Sequence, residues 1–156
     1  MAPDQPIPIE DVAQLAGMVE LRDVVFFQVH AERLESVDDG TPDEAEPEIA
    51  IQIQERHSET RIEVRCILMG RTGDARYVID AAAQYETEIP VELNPDVVEA
   101  FVERVGVMAV YPYLREALQS AAAKLRLEAP VLGLLRPGGV KLTAEDPRLL
   151  SAEDEG

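Results

Sequence analysis

The sequence predicts an α+β fold: a four-stranded antiparallel sheet with C-terminal helices on one face, preceded by one short N-terminal helix. Three observations predict it. Apolar and polar residues alternate through most of residues 21–88, a strong helix-start signal follows at residue 94, and apolar residues then recur at helical spacing. Strands first and helices afterwards are typical of this class. A chain of 156 residues, 46% of them hydrophobic, has the size of one domain with one core.

The N-terminal part predicts a lead, a helix and the first strand. Residues 1–8 are rich in proline, so we expect a flexible lead before a domain at 9–143. From residue 9 to about residue 20, apolar residues recur every three or four positions, which indicates an amphipathic helix. Residues 21–34 alternate as a strand, with one face formed by Asp23, Val25, Phe27 and Val29, and the other by Val24, Phe26, Gln28 and His30.

The remaining strands follow an acidic loop. Residues 35–48 carry seven acids, no base, one glycine and two prolines, so we expect a long crossing loop without regular structure. Alternation at 49–53 and again at 62–68 predicts two strands, each with one buried face. A hairpin turn at 70–74 then leads into a fourth strand at about 75–88.

The helical part begins with a clear signal. Asn94 can cap the free backbone amides, and Pro95 suits the first helical position. We expect a helix to about residue 109. Pro112 is expected to restart or kink the chain, and a second helix with an apolar stripe should end near residue 127.

Charge and composition exclude several classes of function. The chain has 31 acidic and 14 basic residues, a net charge of -17 that disfavours binding to nucleic acid or to anionic membranes. It shows no signal peptide and no run of the roughly 20 apolar residues that a transmembrane helix needs. Cys66 is the single cysteine, which fits a reducing compartment. We expect a cytoplasmic protein without membrane insertion, closed by an acidic flexible tail at 144–156.

No catalytic or metal site is visible. His30, His57 and Cys66 lack partners at the spacings of zinc ligands, and the acids at 38–44 lack the ligand spacing of a calcium loop. The glycines form no phosphate-binding loop. We therefore expect no metal, no cofactor and no enzyme activity. An enzyme with a carboxylate site that no spacing reveals stays the alternative, and converging carboxylates in a deep pocket would indicate it.

The predicted strands carry apolar residues on both faces, although helices can cover only one of them. Val25, Phe27, Val78 and Ala82 therefore need cover from elsewhere. The N-terminal helix, another subunit and a bound client polypeptide are the three alternatives.

One motif resembles a known family. Residues 110–116, with the sequence V-Y-P-Y-L-R-E, resemble the start of the long helix in SecB chaperones. Residues 125–135 look like the extended stretch that follows that helix. Residues 21–26 resemble the first SecB strand, and 61–88 its third and fourth strands. The similarity covers about 21–136, and the helical motif is its distinctive part.

The resemblance implies partners and an assembly. SecB proteins hold unfolded clients along grooves between the sheet and the long helix, and the translocation ATPase SecA docks on the acidic sheet face. The SecA-like positions are Asp23, Val78 and Asp80, whereas Phe27 stands where classical SecB has another acid. The N-terminal helix and the acidic loop look more like SecB-like chaperones of toxin-antitoxin modules, whose client is an antitoxin. The family forms tetramers as dimers of dimers with helices at the interface, so the resemblance implies a dimer or tetramer. The residues expected at this helical interface, or in the core, are Val97, Val98, Phe101 and Val105.

The predicted function is that of an ATP-independent holdase, which binds unfolded or aggregation-prone polypeptides, either preproteins for export or an antitoxin, in a hydrophobic groove. The residues expected to line the groove, or the core beneath it, are Phe26, Tyr77, Tyr111, Leu114 and Leu118. The alternative is a SecB-shaped adaptor for one protein partner, without general chaperone activity.

Overall fold

The computed structural model describes residues 5–35 and 47–132. In chain order they form β1 (Ile7–Pro8), α1 (Val12–Met18), β2 (Val19–Arg33), β3 (Glu48–His57), β4 (Arg61–Arg71), β5 (Ala75–Thr87), β6 (Val91–Glu92), α2 (Pro95–Phe101), a π-helical turn (Val102–Gly106) and α3 (Val107–Lys124). Most of the predicted acidic loop, the first half of the predicted lead and the whole predicted tail lie outside the described residues.

The four long strands form one antiparallel sheet in the order β2-β5-β4-β3. Among the described strands, β2 and β3 therefore lie at its two edges. The short strands β1 and β6 pair separately and in parallel, which ties the chain before α1 to the chain before α2. The predicted α+β class and four-stranded antiparallel sheet are confirmed.

The helices pack on one side of this sheet, called here the helix-covered face; the opposite side is called the open face. α3 contacts β5, β4 and β2. The core lies between them and is built from alternate strand residues and from the inner side of the helix. Its largest fully buried side chains include Leu68, Tyr77, Ile79, Phe101, Leu114 and Leu118.

Two bulges interrupt the alternation of β2. The pairing with β5 shifts between Leu21 and Asp23 and again between Phe26 and Gln28, so Phe27 is the extra residue of the second bulge. Beyond that bulge the faces exchange. Val29 pairs with Ile79 and joins Phe26 on the helix-covered face, so its predicted position beside Val25 was wrong. Gln28 and His30 likewise move to the open face.

The helix start was predicted correctly, whereas the expected restart of the chain at Pro112 is wrong; a kink there stays a prediction. The Asn94 side chain accepts a hydrogen bond from the Val97 amide at 3.0 Å, and Pro95 is the first residue of α2. The chain then continues through the π-helical turn directly into α3, which contains Pro112. Pro112 is exposed and lies in the second turn of α3; it has no amide hydrogen to donate, and the helix continues through it.

Gly106 lets the helical segment lie directly on the sheet. A Cβ atom at this position would be 2.4 Å from Cγ2 of Val64 on β4 and 2.7 Å from its Cβ. Real Cβ atoms essentially never come so close to a neighbour. The absence of a side chain therefore sets the distance between β4 and the start of α3.

The N-terminal helix packs against α2, with Leu15 fully buried. The Asp11 carboxylate caps it by accepting a hydrogen bond from the Gln14 amide at 2.7 Å. Because α1 belongs to the helical side of the molecule, it does not cover the open face. The first of the three predicted alternatives for that cover is therefore wrong.

α3 ends at Lys124, before the predicted end near residue 127. Arg126 adopts a left-handed conformation with φ of 58°. The Leu127 amide donates to the Ala122 carbonyl at 3.0 Å and the Arg126 amide to the Ala123 carbonyl at 3.0 Å, which is a Schellman cap. This cap turns the chain back, so that Leu127 packs partly against the core.

Candidate functional site

An apolar groove of about 400 Å³ runs between β2 and the C-terminal half of α3. Its lining residues are Phe26, Val29, Ala31, Glu116, Ala117, Ser120, Ala121, Lys124 and Leu125. Six of these nine side chains are apolar, as is usual for sites that bind apolar ligands. The groove lies at the sheet edge, where the outer side of β2 has no partner strand among the described residues.

Two rows of α3 side chains form one wall. The row nearer the sheet contains Ala117 and Ala121, whose small side chains leave the space of the groove. The outer row contains Glu116, Ser120 and Lys124, which are four residues apart and so lie above one another along the helix. The Ser120 hydroxyl donates a hydrogen bond to Oε1 of Glu116 at 2.5 Å.

Two contacts fix the ends of the groove. At one end the rings of Phe26 and Tyr113 meet edge to face with centroids 6.5 Å apart, and both rings are more than one third exposed. At the other end Nη1 of Arg33 donates to the Leu125 carbonyl at 2.9 Å. β2 and α3 therefore run in the same direction along the groove.

Among the described residues, β2 carries most of the exposed large hydrophobic side chains. Seven large hydrophobic residues are exposed in the described part of the chain, and four of them belong to this strand: Leu21, Phe26, Phe27 and Val29. A long edge strand with exposed apolar side chains is a surface that pairs readily with another extended chain. The bulge at Phe27 creates part of the groove, because it turns Val29 toward α3.

The groove contains only one of the five residues predicted to line it or the core beneath it. Phe26 lines the groove. Tyr77, Leu114 and Leu118 are at most 1% exposed and Tyr111 is 8% exposed, so these four lie in the core. Their access to a client stays a prediction. Sequence reasoning missed Val29, whose position depends on the bulge, and it missed the row of polar residues on α3.

The predicted SecA-like positions lie on the open face but differ in exposure. Asp23 is exposed, Val78 is half-buried, and Asp80 is only 5% exposed. The Arg65 guanidinium donates from Nε to Oδ1 of Asp80 at 2.7 Å and from Nη2 to Oδ2 at 2.5 Å. Because both carboxylate oxygens are engaged, Asp80 presents little free charge to a basic partner.

Arg65 also explains how the middle of the open face is shielded. Its guanidinium carbon lies 4.5 Å from the centroid of the Phe27 ring, in a cation–π contact. Arg65 and Val25 are the cross-strand neighbours of Ala82, which is fully buried. Side chains of the sheet itself thus cover part of this face, an arrangement that the sequence prediction did not foresee.

The predicted interface residues lie in or near the core of the chain. Val97 is 4% exposed, and Phe101 is 1% exposed and meets Tyr85 edge to face with ring centroids 5.0 Å apart. Val98 and Val105 are half-buried and pack against the same core. Their role between subunits stays a prediction; in this chain they pack α2 and the π-helical turn against the core.

The described residues provide no arrangement typical of nucleophilic or metal chemistry. Burial, with a smaller effect from Asp80, raises the pKa of the Cys66 thiol to about 12, so the reactive thiolate is rare at neutral pH. No three potential metal ligands cluster within residues 5–35 and 47–132. A second concavity, of about 500 Å³, contains Glu63 and Glu86, but both carboxylates are paired with arginines.

Within residues 5–35 and 47–132, no helix has both the length and the hydropathy of a transmembrane span.

The sheet order, the long helix across one sheet face and the groove beside it define an α+β protein of SecB-like fold. No family model matches the chain. It is 41% identical over 145 residues to the SecB-like chaperone SmegB of Mycolicibacterium smegmatis, an alignment that covers 93% of this chain and 92% of the relative. The chain therefore belongs to the family of SecB-like chaperones, and the resemblance in the sequence is confirmed.

A solved structure supports the same fold. It is the SecB-like chaperone Rv1957 of Mycobacterium tuberculosis, in complex with a ChAD peptide from the HigA1 antitoxin Rv1956. The TM-score is 0.67 at 20% sequence identity, and the match covers 80% of this chain and 95% of that one. At this identity the likeness establishes the fold.

Proposed function

We propose that the chain is an ATP-independent holdase, which keeps an aggregation-prone polypeptide soluble by binding an extended segment of it in the groove between β2 and α3. The observation that supports this most strongly is the exposed apolar groove beside an edge strand that has no partner among the described residues. The family supports the chaperone role, because both relatives are SecB-like chaperones. The protein acts in the cytoplasm and without catalysis.

Binding in this groove combines two interactions. An extended client can add to the outer edge of β2 through backbone hydrogen bonds, while every second side chain enters the groove and contacts Val29, Ala117 or Ala121. The backbone bonds do not depend on the client sequence, and the groove selects apolar side chains. Binding of this kind withdraws unfolded chains from aggregation by mass action and requires no nucleotide.

The client class follows from the relatives. The solved relative is in complex with an antitoxin peptide. We therefore propose an antitoxin as the first client to test for this chain, and a preprotein for export as the second. Docking of SecA on the open face stays a prediction, and the ion pair that engages Asp80 does not favour it.

A second copy of the chain is the rival occupant of the same surface. Four exposed apolar residues on one edge strand are also what a homo-oligomer would cover, and pairing of two β2 strands would extend the sheet. We propose that the protein assembles as a dimer or tetramer. Light scattering over a range of concentrations measures this, and loss of client binding as the mass increases would indicate that subunits and clients compete.

The chaperone proposal is tested by aggregation. We expect the purified protein, in several-fold excess and without nucleotide, to suppress light scattering by an unfolded client diluted from denaturant. Bovine serum albumin at the same mass concentration controls for nonspecific protection. No suppression would contradict a holdase. Capture of a single partner combined with failure in this assay would instead support the adaptor alternative.

A further inference from the structure

The N-terminal segment binds to a part of the chain that lies far from it in sequence. Residues 7–18, called here the strap, comprise β1, the cap of α1 and α1 itself. The Ile7 amide donates to the Pro90 carbonyl at 3.0 Å, and the Ile9 amide donates to the Glu92 carbonyl at 3.0 Å. Two backbone hydrogen bonds therefore hold the strap on β6.

β6 and Asn94 connect the strap to the sheet and to the helices. On one side, the Val91 amide donates at 2.8 Å to the Glu59 carbonyl, in the turn between β3 and β4. On the other side, Nδ2 of Asn94 donates to the Ile9 carbonyl at 3.4 Å, while its Oδ1 accepts from the Val97 amide at 3.0 Å. The strap thus contacts the residue that caps the first turn of α2.

Apolar contacts join the strap to the core beneath the first helical turns. Ile9 is 3% exposed and Leu15 is fully buried, and both belong to the same buried cluster as Phe101. α1 packs against α2, and the Phe101 ring meets the Tyr85 ring of β5 edge to face. Release of the strap would therefore uncover part of the cluster that holds α2 on the sheet.

The strap is held by fewer interactions than the long strands are. β1 and β6 pair over two residues each, whereas β2 and β5 pair over most of their length. α1 has seven residues, below the roughly 12 that an isolated helix needs, and Gly17 lowers its helix propensity further. Among residues 12–18, Leu15 is the only buried one. Segments with few buried contacts open at low free energy while the rest of the chain stays folded.

We propose that the strap is a conformational latch. When docked, it holds the start of the helical unit, which is α2 and the π-helical turn, on the sheet. When released, it lets this start lift and admits water to the core below it, around Cys66. The latch gives the chain a way to expose apolar core residues without unfolding the sheet. This inference goes beyond the proposed function and does not depend on it.

Cys66 is an intrinsic probe of this opening. It is the single cysteine of the chain, and it is fully buried on β4, two residues from Val64, on which Gly106 lies directly. Burial, with a smaller effect from Asp80, raises the pKa of its thiol to about 12. A thiol reagent at mildly alkaline pH therefore reacts mainly when the core opens to water, so the labelling rate measures the opening.

Two strap variants with opposite expected effects test the latch. Leu15→Ala should accelerate the labelling of Cys66 by at least about tenfold, because a buried leucine anchors α1. Gly17→Ala should slow it about fourfold, because alanine favours helix and the added Cβ would have no neighbour within 4 Å. Ile49→Ala is the matched control. Ile49 packs partly against the core and pairs with Gly70, at the end of the sheet away from the strap, so its loss lowers global stability only.

Urea separates strap release from global unfolding. Below the unfolding transition, labelling should depend weakly on urea, because strap release exposes little surface, and Ile49→Ala should label at the wild-type rate. Equal rates in the wild type and Gly17→Ala would overturn the latch, and this comparison holds even if Leu15→Ala does not fold. No labelling below the transition, or equal acceleration by Ile49→Ala and Leu15→Ala, would also overturn it, because Cys66 would then be reached only by global unfolding.

Discussion

Gly106→Ala is expected to lower the free energy of unfolding by about 3 kcal/mol, the upper part of the range for an overpacked core. The added methyl group would be 2.4 Å from a side-chain carbon of Val64, which is itself fully buried on β4. The helical segment must move away from the sheet, and the core contacts of Phe101 and Val107 weaken with it. Alanine favours helix by about 1 kcal/mol over glycine, which offsets only part of the loss.

Gly17→Ala is the matched control. Gly17 also lies in a helix, but a Cβ atom there would have no neighbour within 4 Å. Urea denaturation at one fixed protein concentration should show Gly17→Ala unchanged or slightly stabilised. Adding Val64→Ala to Gly106→Ala should cost less than the two separate losses added together, because it removes the two Cγ atoms from the clash and leaves only the Cβ contact at 2.7 Å. Equal midpoints for Gly106→Ala and the wild type would contradict this account of the helix–sheet contact.

Asp80→Asn is expected to destabilise the chain by about 3 kcal/mol, as when one partner of a buried ion pair is removed. The Asp80 side chain is only 6% exposed, and Arg65 is 23% exposed. The substitution keeps the shape of the side chain but removes the negative charge that the partly buried guanidinium contacts through two hydrogen bonds. The Phe27 ring stacks on the same guanidinium, so the middle of the open face should loosen.

Glu86→Gln provides the comparison for this prediction. Glu86 also pairs with arginines, Arg22 and Arg61, but its side chain is 39% exposed. Its loss should cost less than about 1 kcal/mol, as is usual for surface pairs. The double variant Arg65→Met with Asp80→Leu should recover much of the loss in Asp80→Asn, since both charges of the pair are then replaced by apolar side chains. If Asp80→Asn and Glu86→Gln unfold at the same urea concentration, the pair of Arg65 and Asp80 contributes no more to the free energy of unfolding than a surface ion pair does.

Local patterns were sufficient to predict the four long strands and the start of the helical part, but not the short β1–β6 pair or the π-helical turn. Alternation of apolar residues located the four long strands, and Asn94 with Pro95 located the start of α2 to the residue. These signals depend on neighbours in sequence, so one chain is enough to read them. The pattern around Pro112 left a restart and a kink as alternatives, because a proline removes one backbone hydrogen bond in either case and the local sequence does not show whether the helix resumes.

The candidate site was less predictable because it depends on distant parts of the chain. The bulge at Phe27 arises from the pairing of β2 with β5, and the extra residue exchanges the faces beyond it. Val29 therefore enters the groove, although alternation alone places it on the open face. The pair of Arg65 with Asp80 likewise joins two strands, so no local pattern identified Asp80 as a neutralised charge.

Client binding by Val29→Asp tests the central claim most directly. Val29 lines the groove and is 55% exposed, so an aspartate there should leave the fold intact and introduce a charge where apolar client side chains bind. Val131→Asp is the matched control, because Val131 is 89% exposed and does not line the groove. The measured quantity is the dissociation constant of a labelled unfolded client, by fluorescence anisotropy. The account predicts at least about tenfold weaker binding for Val29→Asp, about 1.4 kcal/mol, and wild-type affinity for Val131→Asp; wild-type affinity in both variants would contradict it.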